Sequence, residues 1–201
     1  MKKPLLVLAS SSPRRIFFLK QLGVPFRRSS PEVDERPLAG ERPRHYVRRI
    51  ALEKARVVSR HHPADWVLAA DTTVVLDGII LGKPRNDREA RRMLRSLSGR
   101  SHQVLSAMAL VCRADEKELS RVSLTSVQLR EMDPAEIRWY VGTGEPADKA
   151  GAYAIQGKGA IFVKKIVGSP SNVAGFPVET FYDLMRSAGL PLGPRSDRAM
   201  V

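Results

Sequence analysis

The chain has 201 residues, 43% of them hydrophobic, with one cysteine, Cys112. That length and content suit one domain, or one domain with two lobes. They exclude an intrachain disulfide, and no run approaches the roughly 18 apolar residues of a membrane span. The formal charge of +13 is uneven, since residues 1–60 carry 15 Lys or Arg against 5 Asp or Glu, and such a field favours an anionic partner, either nucleic acid or a polyphosphate.

Met1-Lys2-Lys3-Pro4 leads into a short apolar run, too brief for a signal peptide, so a cytoplasmic location is expected. Leu5 to Ala9 predicts a buried strand, ended by Ser10-Ser11-Ser12. Ser12 as N-cap and Pro13 at the first helical position open a helix that runs toward Gly23. Arg14 and Arg15 fall in its first turn, where the helix dipole disfavours cations by up to about 1 kcal/mol. A bound anion reverses that sign: free amides, serine hydroxyls including Ser10, and two guanidinium groups make a phosphate cradle. The plainer alternative is a pair of exposed arginines.

Phe26 to Ser30 predicts a second strand, and the acids Glu32, Asp34 and Glu35 follow it. They suit a magnesium ion shared with substrate phosphates, or equally a solvated loop. Pro43 to Arg60 has helical spacing, with Val47, Ile50, Ala51 and Val58 on one face. Lys54 lies beside that stripe, so it either points into a cleft or snorkels to solvent.

The stretch from Val67 to Pro84 organises the rest. Val67 to Asp71 predicts a buried strand that ends on a carboxylate, which costs on the order of several kcal/mol if left dehydrated and unpaired. Metal, lysine or backbone donors must therefore face Asp71. Asp77-Gly78 between two apolar triplets predicts a type I′ hairpin. Its return would set Gly82-Lys83-Pro84 opposite Asp71 to Thr73 and bring Lys83 to the carboxylate. The base of this hairpin is the expected metal and phosphate site.

Asn86 or Asp87 starts a helix carrying Ala90, Met93, Leu94 and Leu97, stopped by Ser98-Gly99. Strands are predicted over 104–112 and 124–129, with a charged turn between them. Asp133-Pro134-Ala135-Glu136 has the form of a capping box. Five glycines between Gly142 and Gly159 permit close backbone approach to a ligand. Within that stretch Gln156 can read the edge of a base with its amide, or simply bond backbone. A strand over 160–167, a donor-rich turn over 168–172, a helix from Val178 to Ala188 and a loose tail over 190–201 complete the expectation.

GxxxxGK[ST], GxSxG and HExxH do not occur, and the four histidines lack zinc spacing. Carboxylates, lysines, arginines and a hard cation remain, a set suited to hydrolysis at phosphorus.

Six motifs can now be taken together: LASSSPRR at 8–15, EVDE at 32–35, EKA at 53–55, AADTTVVLDGIILGKP at 69–84, GEPADKAGAYAIQGKGA at 144–160 and GSPSNVAGFPVE at 168–179. In this order they resemble the Maf family of nucleoside triphosphate pyrophosphatases, over Leu5 to about Gly189. The resemblance implies an α/β fold: a mixed twisted sheet with flanking helices and two lobes around a cleft, of the inosine triphosphatase architecture, in one domain over residues 1–189. It implies hydrolysis of a nucleoside triphosphate to the monophosphate and pyrophosphate with Mg2+, or Mn2+ or Co2+ in its place, and in many members a homodimer. By position Asp71 is implied as the catalytic acidic residue. Arg14, Thr72 and Gln156 are implied in substrate choice, as in the subgroup acting on dTTP and UTP. Glu35, Lys54 and Lys83 are implied as further cleft residues for metal and phosphates; taken with the local reading above, Glu35 and Asp71 are the expected metal ligands and Ser10, Arg15, Lys54 and Lys83 the expected phosphate ligands. Pro170 departs from the aromatic found there in many members. The rival is a nucleic-acid-binding or division-associated regulatory protein without turnover; aromatics at only 6% of the chain argue against base stacking.

Overall fold

The computed structural model describes residues 6–192. Leu5, expected to start the first strand, and residues 193–201 of the expected tail lie outside the described residues.

Seven strands form one mixed sheet in the order β2-β1-β3-β5-β6-β7, with β4 also on β3. β1 (Leu6–Leu8) runs parallel to both β2 (Phe26–Arg28) and β3 (Trp66–Leu76). β4 (Ile79–Leu81), β5 (Ser101–Cys112), β6 (Lys117–Leu129) and β7 (Val163–Val167) add antiparallel pairings. The helices are α1 (Pro13–Gln21), α2 (Pro43–Ser59), α3 (Asp87–Leu97), α4 (Pro134–Gly142), α5 (Pro170–Val173) and α6 (Val178–Ser187). None of the described helices is long and apolar enough to cross a membrane.

Side-chain alternation along β3 divides the core. Val67, Ala69 and Val75 pack on α2 through Val47, Ile50, Ala51 and Val58, together with Leu105 and Ala107 of β5. Trp66, Leu68 and Ala70 point to the opposite face, onto Leu19 of α1 and Phe181 and Leu184 of α6. Farther along the sheet, Val74 and Leu76 join a third cluster with Met93, Leu94 and Leu97 of α3 and Tyr140 of α4, which forms the second lobe.

One edge of β3 is fully taken by β5, from Val67 to Val75. The other edge is shared. β1 covers Trp66 to Leu68 and β4 covers Val74 to Leu76, and among the described residues no strand pairs the residues between. The cleft lies at this notch.

Several local expectations need correction. Asp71 does not end a strand, because the β-branched residues Thr72 to Val75 continue it to Leu76. Ser12 stands at the N-cap of α1 without a side-chain cap bond; the Ser10 hydroxyl instead accepts from Ser12 N at 3.2 Å. β5 starts at Ser101 rather than Val104 and β6 at Lys117 rather than Leu124, because their ladder runs unbroken from Ser101 opposite Gln128 to Cys112 opposite Lys117. β7 starts at Val163, since Gly157–Phe162 winds into a 3₁₀ helix, and the predicted turn at 168–172 contains α5, with Pro170 at its first position and the Ser169 hydroxyl accepting from Asn172 N.

Candidate active site

The notch opens into a cleft of about 680 Å³ lined from both faces of the sheet. At its centre the Lys54 ammonium bridges two carboxylates. Lys54 Nζ donates to Asp71 Oδ1 at 2.8 Å and lies 2.7 Å from Glu35 Oε1. Asp71 is 6% exposed and Lys54 8%, so this is a buried pair, whereas Glu35 sits at the half-exposed mouth. Helical spacing explains how lysine gets there: Lys54 is one turn beyond Ile50, on the stripe that packs against β3. Glu35 is held from the same helix by Tyr46, whose hydroxyl donates to the Glu35 carbonyl oxygen at 2.9 Å.

The two carboxyl groups are driven in opposite directions. Burial raises the Asp71 pKa above the ordinary carboxylate value, opposed by Lys54 and Arg15. Burial also pushes Glu35 upward, but the Lys54 hydrogen bond and the charges of Lys54, Lys83 and Arg15 outweigh it and hold Glu35 below its ordinary value. Lys83 lines the cleft and acts on Glu35, while Lys54 alone among the described residues hydrogen-bonds the Asp71 carboxylate. The hairpin therefore does not deliver Lys83 to Asp71 as expected. Its turn has the predicted shape, with φ of 51° at Asp77 and 79° at Gly78, but strand pairing stops at Leu81.

Arg15 is fixed between two segments: its Nε donates to the Gly175 carbonyl at 3.1 Å and its Nη1 to Ser10 Oγ at 3.2 Å. Burial lowers its pKa, with Asp71 opposing that shift. Arg14 lines the cleft beside it, as do Ser10, Thr72 and Gln156. The structure thus brings all nine residues singled out from the sequence, Ser10, Arg14, Arg15, Glu35, Lys54, Asp71, Thr72, Lys83 and Gln156, to one cleft.

Other participants carried little sequence signal. Glu145 organises the glycine-rich loop: its carboxylate accepts from the Tyr140 hydroxyl, Lys158 N and Gly159 N, each at 2.9 Å. A Cβ on Gly159 would collide with the Tyr140 hydroxyl and the Ala154 carbonyl. On the other face Thr72 Oγ1 meets Ser106 Oγ at 2.8 Å. Ser106 could have been found only through strand register, which pairs it with Thr72.

The donor set fits a hard divalent cation. Glu35 and Asp71 present two carboxylates to one cleft, and no group of three or more His, Cys, Asp or Glu converges among the described residues. Magnesium bound by one or two carboxylates, with phosphate oxygens and water completing its shell, requires no more.

The family described as "Maf-like protein" matches residues 5–188. A protein of Anaeromyxobacter dehalogenans named "dTTP/UTP pyrophosphatase" is 54% identical over 94% of this chain and 96% of its own. Proteins of the same name from Myxococcus xanthus, 52% identical over 94% of each chain, and Symbiobacterium thermophilum, 49% identical over 93% of this chain and 95% of its own, are similar as well. Among solved structures, a HAM1 protein from Coxiella burnetii shares the fold at a TM-score of 0.56 and 18% identity, covering 92% of this chain and 100% of its own. The Ham1 protein of Staphylococcus aureus does so at 0.56 and 13%, covering 91% and 96%. With a family match over nearly its whole length and relatives half identical to it, the chain belongs to the Maf family.

Proposed function

We propose that this protein is a nucleoside triphosphate pyrophosphatase that hydrolyses dTTP and UTP to the monophosphate and pyrophosphate. The observation that carries the proposal is the Glu35–Lys54–Asp71 bridge beside Arg14, Arg15 and Lys83, in one cleft of a chain about half identical to dTTP/UTP pyrophosphatases.

Asp71 orients the attacking water and takes its proton. Lys54 engages Oδ1, which leaves Oδ2 for the water, and the raised pKa makes Asp71 a stronger base than an exposed aspartate. Lys54, Lys83 and Arg14 stabilise negative charge that builds on the phosphates, while Arg15, pinned to Ser10 and Gly175, supplies a fixed cationic wall. Gln156, exposed in the glycine-rich loop, reads the pyrimidine edge. When bound by Glu35 and Asp71, magnesium supplies charge neutralisation and orientation of the phosphates. The remaining parts of the proposal are a single domain over residues 1–189, a cytoplasmic location and a homodimer, the last checked by sedimentation.

The test is release of pyrophosphate against orthophosphate from a panel of nucleoside triphosphates, with magnesium and with chelator. Pyrophosphate from dTTP and UTP, lost on chelation, is the expected result. Orthophosphate places the cleavage at the wrong bond and refutes it, and no release from any triphosphate favours the binding protein without turnover.

A further inference from the structure

Ser106 of β5 stands directly across from Thr72 of β3 and is wholly buried. Its hydroxyl oxygen lies 2.8 Å from Thr72 Oγ1 and 3.1 Å from the backbone carbonyl oxygen of Asn172. A carbonyl has no proton to give, so across this hydrogen bond Ser106 donates to Asn172. A serine hydroxyl has one proton. Toward Thr72 it therefore offers a lone pair, and Thr72 donates inward to Ser106. What the Thr72 oxygen presents to the cleft is lone pair alone.

The far end of this relay is fixed. Asn172 is fully buried, and its Nδ2 donates to the Val104 carbonyl at 3.1 Å and to Thr125 Oγ1 at 2.9 Å. Its own carbonyl also accepts from Gly175 N at 2.9 Å. Gly175, with a φ of 90°, keeps the space beside Thr72 open, since a Cβ there would stand 3.4 Å from Thr72 Oγ1.

We infer that Ser106 is a positioning residue for substrate choice: by holding the Thr72 proton inward it makes Thr72 an obligate hydrogen-bond acceptor, matched to the imide N3–H that uracil and thymine share. The inference rests on the pyrophosphatase activity proposed above. Cytosine carries a lone pair at N3, which would face the lone pair of Thr72, and a polar site built for a donor rejects a base that lacks one.

The experiment compares kcat/KM for UTP and CTP in the wild type and in Ser106→Ala, with folding checked by thermal melting. The wild type is expected to favour UTP at least about tenfold. In Ser106→Ala the Thr72 hydroxyl loses its inward acceptor and turns to the cleft, so the UTP to CTP ratio falls at least about fivefold, partly through a gain with CTP. A merely structural role lowers both substrates alike. Should Ser106→Ala not fold, Thr72→Val decides: it removes the oxygen, keeps the shape, and is expected to lower the same ratio. An unchanged ratio in the folded variant, or a wild type that takes CTP as readily as UTP, overturns the inference and leaves UTP hydrolysis standing. No pyrophosphate from UTP or dTTP overturns the activity and the inference with it.

Discussion

Replacing Lys54 by Met keeps the aliphatic stem and deletes the ammonium that bridges Glu35 and Asp71. At 2.8 Å and an effective dielectric of about 20, the lost attraction to Asp71 amounts to roughly 6 kcal/mol before solvation is counted. The lysine also escapes its own dehydration, so the net loss for stripping one partner from a buried pair is about 3–5 kcal/mol. The half-exposed Glu35 adds less than about 1 kcal/mol. The loss depends on pH. Asp71 already has a folded-state pKa above the ordinary 3.8, so its favourable contribution is complete below 3.8 and disappears as pH rises through the folded value. Without Lys54 that folded value climbs further, so the gap between variant and wild type widens with pH, by up to about 1.4 kcal/mol per unit. Urea unfolding of both proteins across about pH 4 to pH 9 measures it. A gap that does not widen anywhere over that range, or that stays below about 1 kcal/mol at its upper end, refutes the bridge as described.

Asp71→Asn preserves shape while removing charge, so pyrophosphate release is expected to fall about 10²- to 10⁴-fold in protein that still folds; wild-type turnover would remove Asp71 from the mechanism. Gln156→Ala should narrow the preference for UTP over ATP, and an unchanged ratio of kcat/KM would show that the amide does not read the base. Burial depresses His102 from 6.5 to about 4 while its Nε2 bonds the Tyr153 hydroxyl, so its contribution is present above pH 6.5 and lost as pH falls toward 4. His102→Gln should flatten the acid limb of the stability profile by about 3 kcal/mol, read by denaturant titration between pH 7 and pH 4. Gly159→Ala forces a methyl group against Tyr140 and the Ala154 backbone, so a loss of about 1–3 kcal/mol is expected, with a thermal melt as the check.

Local chemistry was readable wherever a few neighbouring residues decide the outcome. Asp77-Gly78 specified its hairpin because both positions tolerate positive φ, and Asp133 with Glu136 formed the full capping box. The gathering of Arg14, Asp71 and Gln156 in one cleft was legible through motif order. The partner of Asp71 was not: Lys54 arrives from α2, and its inward direction is decided by how that helix lies across β3. Charge misled the strand boundary, since Asp71 looks like an end until α2 supplies a cation to the middle of the strand. The 3₁₀ helix at Gly157–Phe162 was equally invisible, because its backbone is gathered by Glu145 from twelve or more positions upstream. Ser106 is one polar residue in an apolar run, and it gains meaning only when register sets it opposite Thr72.

The alternation of β3 puts neighbouring residues to unlike uses. Asp71 points toward α2 and meets Lys54, whereas Thr72 points to the opposite side and meets Ser106. The notch joins the two sides, so one nucleotide can touch both. On the proposed function, hydrolytic chemistry and ligand discrimination then occupy separate compartments of a single strand, odd-numbered positions for one and even-numbered for the other. Substitutions on the Thr72 and Ser106 side can retune which nucleotide is accepted without disturbing the carboxylate and ammonium that act on it, while sliding β3 by one residue would exchange the compartments and abolish both at once.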